Sequence, residues 1–477
     1  MLTDHSDVSA WAQENFGGLD LGDERRNARV VAIAQMMAKS PGKSIPAMSA
    51  SEYEMKAVYR LVGRSEVTPD RLQMTHCSRT KQAMHDTAST FLVLQDTTTI
   101  SFSGRAAIAE LGPVGNARDG LEGFLIHTAL AVRWSDGEVN PSCRRRAVEI
   151  VGLADQQIFT RTARPAGEKG SDKSKRLRRP RESQIWGWAT ERCSRAPQGC
   201  DWVRVCDAEA DIQPFLVECL EYNHSFVVRA CQNRGLIDQV GKLSMDLVRE
   251  VSSLGSFPIS LRARPGMSAR TAQLSVGSCP VSIRPPFRPG NPGEALNCMA
   301  VRVWEEEAPA GVKPLEWVLL TDRPAETFEE IREVARMYSC RWLIEEYHKV
   351  LKTGLGVERL QMEHSRGLMN TAAMFGVVAL RLLSLKENSR TEPDLPAARS
   401  GLSDVELQIL GLKLSRKLAT VRDVMMALGK LGGHLGRKCD GMPGWQTLWQ
   451  GWLMLDALVQ GFELAKNLDQ DQVGCSQ

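Results

Sequence analysis

The sequence predicts a mixed α/β protein whose two ends are helical. Three observations carry that reading. Residues 1–68 and 401–470 place apolar side chains at helical spacing with few breakers. Between them, short apolar and β-branched runs alternate with helical stretches. Within 231–314, Pro and Gly turns separate several short β candidates. The chain therefore divides into an N-terminal helical domain (1–68), an α/β core (69–385) with a β-rich insertion (231–314), and a C-terminal helical domain (386–477).

In the first segment, "LGDERRNARVVAIAQMMAKS" repeats Val30, Ile33, Ala34 and Met37 on one helix face. Arg29 lies four residues from Arg25 and three from Arg26, so the three form a local basic patch, to which Lys39, Lys43 and Arg60 add. The patch reads either as a solvated helix face or as a surface for an anionic partner. Next, "FLVLQD" is an apolar run ending in Asp96, and "FLIHTALAV" (124–132) and "AVEIVGL" (147–153) follow as buried strands. "ARPAGEKGSDKSKRLRRPRES" (163–183) is a basic loop that either solubilises the chain or faces a DNA groove. "DWVRVCD" (201–207) is a strand ending in Asp207, and "SFVVRA" (225–230) is another.

The insertion contributes "FPISLRAR", "RTAQLSV", "CPVSIRPPF" and "NCMAVRVWE". "LEWVLLT" (315–321) returns to a buried-strand pattern, and a long helix then carries "YSCRWLIEEYHKVLKTG" (338–354). Helical texture continues to about residue 386, and "KENSRTEPDLPAARS" (386–400) reads as a linker. Trp445, Trp449 and Trp452 recur at helical spacing, which points first to a helix core and second to a dimer contact.

Composition narrows the function classes. A net charge of +3 in 477 residues does not announce a nucleic-acid partner, so any basic surface must come from local clustering. The twelve cysteines include no CxxC pair. Cys193, Cys200, Cys206, Cys219 and Cys231 crowd one region at spacings that fit no common zinc pattern. Free thiols in a reducing cytosol are expected, because the polar, acidic opening has no secretory pattern. No apolar run is read as reaching the roughly 18 residues of a membrane span.

On a wheel of about 100° per residue, Tyr338, Arg341, Glu345, Lys349 and Lys352 share a narrow polar arc with His348 beside it. Leu343, Ile344, Tyr347, Val350 and Leu351 lie opposite, and Trp342 joins the polar side. Glu346 falls off the arc, which favours Glu345 as the functional acid. Strands fix side-chain direction, so strand-end carboxylates are suited to holding metal. Asp96, Asp207 and Glu345 would converge if the two strands are neighbours and the helix packs across them. Hard oxygen ligands suit Mg²⁺, with Mn²⁺ substituting. Two such ions, roughly 4 Å apart, would activate a water and stabilise the leaving oxygen of a phosphodiester. Arg341, Lys349 and Lys352 would meet the phosphates. Spacing alone does not separate Asp207 from Glu209 and Asp211, since strand alternation would align all three.

Together, "LQDTTTISF", "VCDAEADI" and the Tyr-x2-Arg-x3-Glu-x6-Lys spacing of the third segment resemble the insertion-sequence-four family of bacterial cut-and-paste DDE transposases. "LGDERRNAR", "FVVR", "LEWVLLT" and "GWQTLWQGW" are similar too, so the likeness runs over nearly the whole chain. It implies an RNase H-like catalytic core with a β-rich insertion, flanked by an N-terminal helical DNA-binding domain and a C-terminal helical dimerisation domain. It implies Asp96, Asp207 and Glu345 as the metal-binding triad and two Mg²⁺ ions as cofactor. Tyr338, Arg341, Lys352, Lys349 and Arg229 would contact DNA. Trp317 would receive a flipped base, where unaided reading makes it a core tryptophan. Arg25, Arg26, Arg29, Lys39 and Arg60 would bind transposon ends.

The implied partners are double-stranded DNA, at transposon ends and target, and a second subunit. No membrane is implied, and the location would be the bacterial cytoplasm at the nucleoid. Two places depart from the family pattern: the basic loop around 169–181 is longer, and the usual paired tryptophans are absent around "GLEGFLIHT". Two other readings stay open: an RNase H-like nuclease without strand transfer, and a non-catalytic DNA-binding regulator derived from a transposase.

Overall fold

The computed structural model describes residues 7–102, 108, 110–115, 119–134, 148–161, 181–237, 241, 243–261, 267–286, 293–437 and 440–474. Residues 163–180 of the basic loop lie outside the described residues.

The N-terminal segment is helical, as its periodicity predicts. It comprises α1 (Val8–Phe16), α2 (Glu24–Lys39), α3 (Ile45–Met48) and α4 (Glu52–Val62), and α5 (Pro69–His85) leads into the sheet. Each start is capped by a side-chain oxygen, which satisfies amide groups the helix itself cannot. Asp7 accepts from Ser9 and Ala10, Asp23 from Arg25, Ser51 from Glu54 and Thr68 from Arg71. The α2 stripe of Val30, Ile33, Ala34 and Met37 is buried.

Ten strands form one mixed sheet: β1 (Thr90–Ser101), β2 (Gly112–Val114), β3 (Leu121–Trp134), β4 (Val148–Phe159), β5 (Asp201–Cys206), β6 (His224–Arg229), β7 (Gly255–Leu261), β8 (Arg270–Ile283), β9 (Leu296–Glu305) and β10 (Glu316–Thr321). The order is β2-β3-β1-β5-β6-β10-β9-β8-β7, with β4 also on β3. Strands β1, β5 and β6 are parallel neighbours, while β3 runs antiparallel to β1 and β4 antiparallel to β3. Between β4 and β5 lies α6 (Ile185–Cys193), between β5 and β6 lies α7 (Gln213–Glu221), and the insertion holds α8 (Ser244–Arg249). The insertion strands β7–β9 are not a separate sheet, because β10 pairs with both β9 and β6.

Alternation along β1 divides the core. Leu92 and Leu94 join a large cluster with α1, α2 and the later helices, whereas Phe91 and Val93 join a second with Met84, Ala129 and Trp202. Asp96 does not end its strand. Parallel pairing with β5 stops at Gln95 opposite Cys206, while β1 continues against β3 to Ser101.

The expected long helix is two helices, α9 (Phe328–Ser339) and α10 (Trp342–Lys349), followed by a π turn at Val350–Gly354. At the junction Cys340 N–H donates to Met337 O and Arg341 N–H to Tyr338 O, each three residues back. That tighter winding interrupts the ordinary ladder.

Helix α11 (Ser365–Thr391) corrects two expectations. It contains a stretch long and apolar enough to cross a membrane, but 94% of that stretch is buried inside the protein. It also runs through the first six residues of the expected linker. Lys386 and Glu387 look like linker residues but are buried beside opposite charges, Glu346 and Arg390. Three more helices follow: α12 (Asp404–Lys413), α13 (Val421–Leu431) and α14 (Trp445–Gly474). Trp445, Trp449 and Trp452 are all buried, as the core reading of that stripe required. Gly42 lies so close to Trp449 that an added Cβ would sit 1.8 Å from its Cζ2, and its φ is +77°. The neighbouring Lys43 pairs with Asp456 of α14, so it is no part of a free basic patch.

Candidate active site and DNA-binding surface

The register of β1 and β5 sets two acids side by side. Asp96 and Asp207 each follow the last parallel pair, Gln95 and Cys206. Asp96 Oδ1 accepts from Thr97 N–H at 2.8 Å. Asp207 starts a 3-10 turn, Ala208–Ala210, and its Oδ1 accepts from Glu209 N–H at 2.9 Å. Burial, and then the charge of Asp207, push Asp96 up to about 7, against the pull of the Thr97 amide and Arg341.

The 3-10 turn removes the strand alternation that would have aligned Asp207 with its neighbours. Glu209 is exposed on the turn. Asp211 is buried and committed to structure: it pairs with Arg234 and accepts at 2.8 Å from the amides of both Cys231 and Gln232.

Helix α10 crosses β1 and brings its own groups to this place. Arg341 pairs with Glu345 one turn on, and its charge is felt by Asp96. Burial pulls Arg341 down, but the hydrogen bond and charge of Glu345, and then Tyr338 and Asp207, hold it above its usual range. Its guanidinium lies 6.0 Å from the Tyr338 ring centre and 5.4 Å from that of the half-exposed Trp342. Burial raises the Tyr338 hydroxyl, while Arg341 and Arg229 oppose the rise. Thus Asp96 on β1 and Asp207 just after β5 both feel Arg341, which stands beside Tyr338 at the end of α9 and pairs with Glu345 of α10, while Arg229 of β6 faces Tyr338.

Glu346 faces other partners. Although burial pushes its carboxyl up, Lys386 holds it below the usual range, and Trp445 Nε1–H donates to it at 2.6 Å. Lys352 Nζ donates to Thr99 O of β1 at 2.8 Å and lies 3.7 Å from Glu358, whereas Lys349 is exposed. Trp317 is half-buried on β10, opposite Val303, against the main core cluster.

Hard carboxylate oxygens crowded together suit a hard divalent cation, which would relieve the repulsion that raises Asp96. Asp96 and Asp207 meet that description. Glu345 has its carboxylate on Arg341, and among the described residues no three His, Cys, Asp or Glu side chains form a ready cluster for an ion.

Sequence reading missed a buried polar network behind Asp96. His348 Nδ1 lies 3.8 Å from Asp96 Oδ2, and burial holds this imidazole neutral, down at about 3. Its partners are Thr128 on β3, then Gln156 on β4, Tyr347 on α10 and Gln73 on α5. The signal was present: His127 and Thr128 interrupt the apolar run of β3, and Gln156 follows the apolar run of β4.

On the N-terminal domain Arg25, Lys39 and Arg60 are exposed and Arg29 is half-buried. Arg26 is partly committed, with Nη1 donating to Leu21 O at 3.3 Å and with Asp23 and Glu66 at 3.9 and 4.0 Å. Residues 8–67 match the transposase DNA-binding family. The chain carries a transposase-type DNA-binding domain. That domain spans α1–α4 and contains the whole basic group. DNA is thereby supported as a partner, and a transposase-like DNA-binding protein as the class.

Proposed function

We propose that this protein is a DDE transposase of the insertion-sequence-four family, akin to the Tn-five transposase. It would excise its element by nicking the end, forming a hairpin and resolving it, and would then join the freed ends to target DNA. The observation that carries the reading is the pairing of Asp96 with Asp207 beside Arg341, on a chain with a transposase-type DNA-binding domain. The antiparallel β4-β3-β1 set continuing into parallel β5 and β6 supports an RNase H-like core.

Asp96, Asp207 and Glu345 would hold the metal. The chemistry supplied by a bound pair of Mg²⁺ ions, for which Mn²⁺ can substitute, is activation of the attacking oxygen and stabilisation of the leaving one. Arg341 offsets the acids' charge and presents a guanidinium to a phosphate, and Arg229 adds a cation near the Tyr338 hydroxyl. Lys349 is free to meet the backbone, while Lys352 steadies β1 just beyond Asp96. Trp317 would stack on an expelled base. A second subunit would complete the DNA complex, and the nucleoid would be the working location.

The test uses DNA bearing the terminal repeats that flank the gene. Asp96→Ala, Asp207→Ala and Glu345→Ala should each abolish nicking while end binding persists in a mobility-shift assay. Full nicking by any of the three removes that residue from the triad. Precleaved ends that fail to join target DNA would instead indicate a nuclease.

A further inference from the structure

The hydrogen-bond directions in the buried network are determined by its far end. The Tyr347 hydroxyl donates to Gly376 O of α11 at 3.1 Å, so toward Gln156 it can only accept. Gln73 Nε2 donates to Ala373 O at 2.9 Å and to Gln156 Oε1 at 2.7 Å. The oxygen of Gln156 is therefore turned to Gln73, and its Nε2 presents two hydrogens the other way. One goes to Tyr347 at 2.8 Å and the other to Thr128 Oγ1 at 2.9 Å. Thr128 accepts there and keeps one proton and one lone pair; with that proton directed to His348 Nε2, 3.4 Å away, the imidazole accepts at that atom. A neutral imidazole that accepts at Nε2 carries its hydrogen on Nδ1. Nδ1 is the atom 3.8 Å from Asp96 Oδ2.

We propose that His348 is a positioning residue for Asp96: the chain Gln73–Gln156–Thr128 locks the imidazole as its Nδ1–H form, and that N–H aims the outer carboxylate oxygen. The distance exceeds a direct hydrogen bond, so the hold is one of direction. Asp96 is thus bound at Oδ1 by the Thr97 amide and faced at Oδ2 by His348. His348 is 6% exposed, and the ring is gripped by β3 on one side and carried by α10 on the other. The inference rests on the proposed role of Asp96 as a metal ligand. Hydrogen-bonded supports of ligating carboxylates set metal affinity, and their loss typically weakens it by about 10- to 100-fold.

Two measurements on the full-length protein test it. The first labels its eight histidines with ¹⁵N and reads tautomers from long-range ¹H–¹⁵N correlations, with the His348 signal assigned by its absence in His348→Asn. The Nδ1–H form is expected in the parent, and Thr128→Val should mix the tautomers. An Nε2–H or doubly protonated His348 in the parent, or an unchanged tautomer in a folded Thr128→Val protein, overturns the proposal. The second titrates Mn²⁺ alone by calorimetry. His348→Ala should weaken binding by about 10- to 100-fold. His348→Asn, whose amide can place an N–H where Nδ1 stood, should restore most of it. Parent-like Mn²⁺ affinity in His348→Ala overturns the positioning role. Asp96→Ala separates the two ideas: if it binds Mn²⁺ as tightly as the parent, the metal reading of Asp96 fails, while the tautomer result still judges the hydrogen-bond chain.

Discussion

Burial and the charge of Asp207 raise Asp96 to about 7, so its ionisation at neutral pH works against folding. In the unfolded chain an aspartate titrates at roughly 3.9. Between those values the folded state binds more protons than the unfolded one, so this group's contribution to stability falls as pH rises from about 4 to 7. Asp96→Asn removes the charge and keeps the shape. In chelator at pH 8 the variant should melt at least about 2 °C above the parent, and at pH 5 the difference should narrow. A gap of equal size at both pH values would show that the charge of Asp96 is not what burdens the fold. The acids themselves were legible in the sequence, because each follows an apolar run that can only be a strand. The partners of His348 were not, because Thr128, Gln156 and Gln73 meet it only through tertiary packing across β3, β4 and α5.

At the level of elements, helices were legible by their period, but their interruptions were not. The tight turn at Cys340–Arg341 lies between strongly helical segments and involves no Gly or Pro. A wheel drawn through it loses roughly 20° per tightened residue, which is the difference between 3.6 and 3.0 residues per turn. The Arg341–Glu345 pair survived that error because Arg341 immediately precedes α10, which carries Glu345 one turn on. The sequence reads β5 as ending in Asp207, next to its observed end at Cys206, but the strand alternation that would have aligned Glu209 and Asp211 with it is replaced by a 3-10 turn. Where α14 meets the N-terminal domain, Gly42 combines a left-handed backbone with a Trp449 ring where a Cβ would stand. Gly42→Ala should therefore cost about 1–3 kcal/mol in urea unfolding. A parent-like midpoint would mean that α14 can move aside without loss.

Across the whole molecule, one apolar cluster runs from Trp11 through the sheet to Leu455, so the three sequence segments share a core. Asn370, in the second turn of α11, ties that helix to the N-terminal segment, because its amide donates at 2.8 Å to both Val62 O and Val67 O. Asn370→Ala would orphan two buried carbonyls, each at roughly 1–3 kcal/mol. A lower melting temperature with a single calorimetric transition is expected; an early separate transition for residues 1–68 would argue that the N-terminal helices fold apart. Composition hid this unity, because Lys386 and Glu387 gave a buried helix the texture of a connector. The sheet has a mechanical corollary. Nine strands from β2 to β7, at about 4.8 Å per step, make a plank nearly 40 Å across with no joint between the insertion and the strands bearing the acids. A load placed on the outer rim at β7 would be felt at Asp207 as a tilt of its footing.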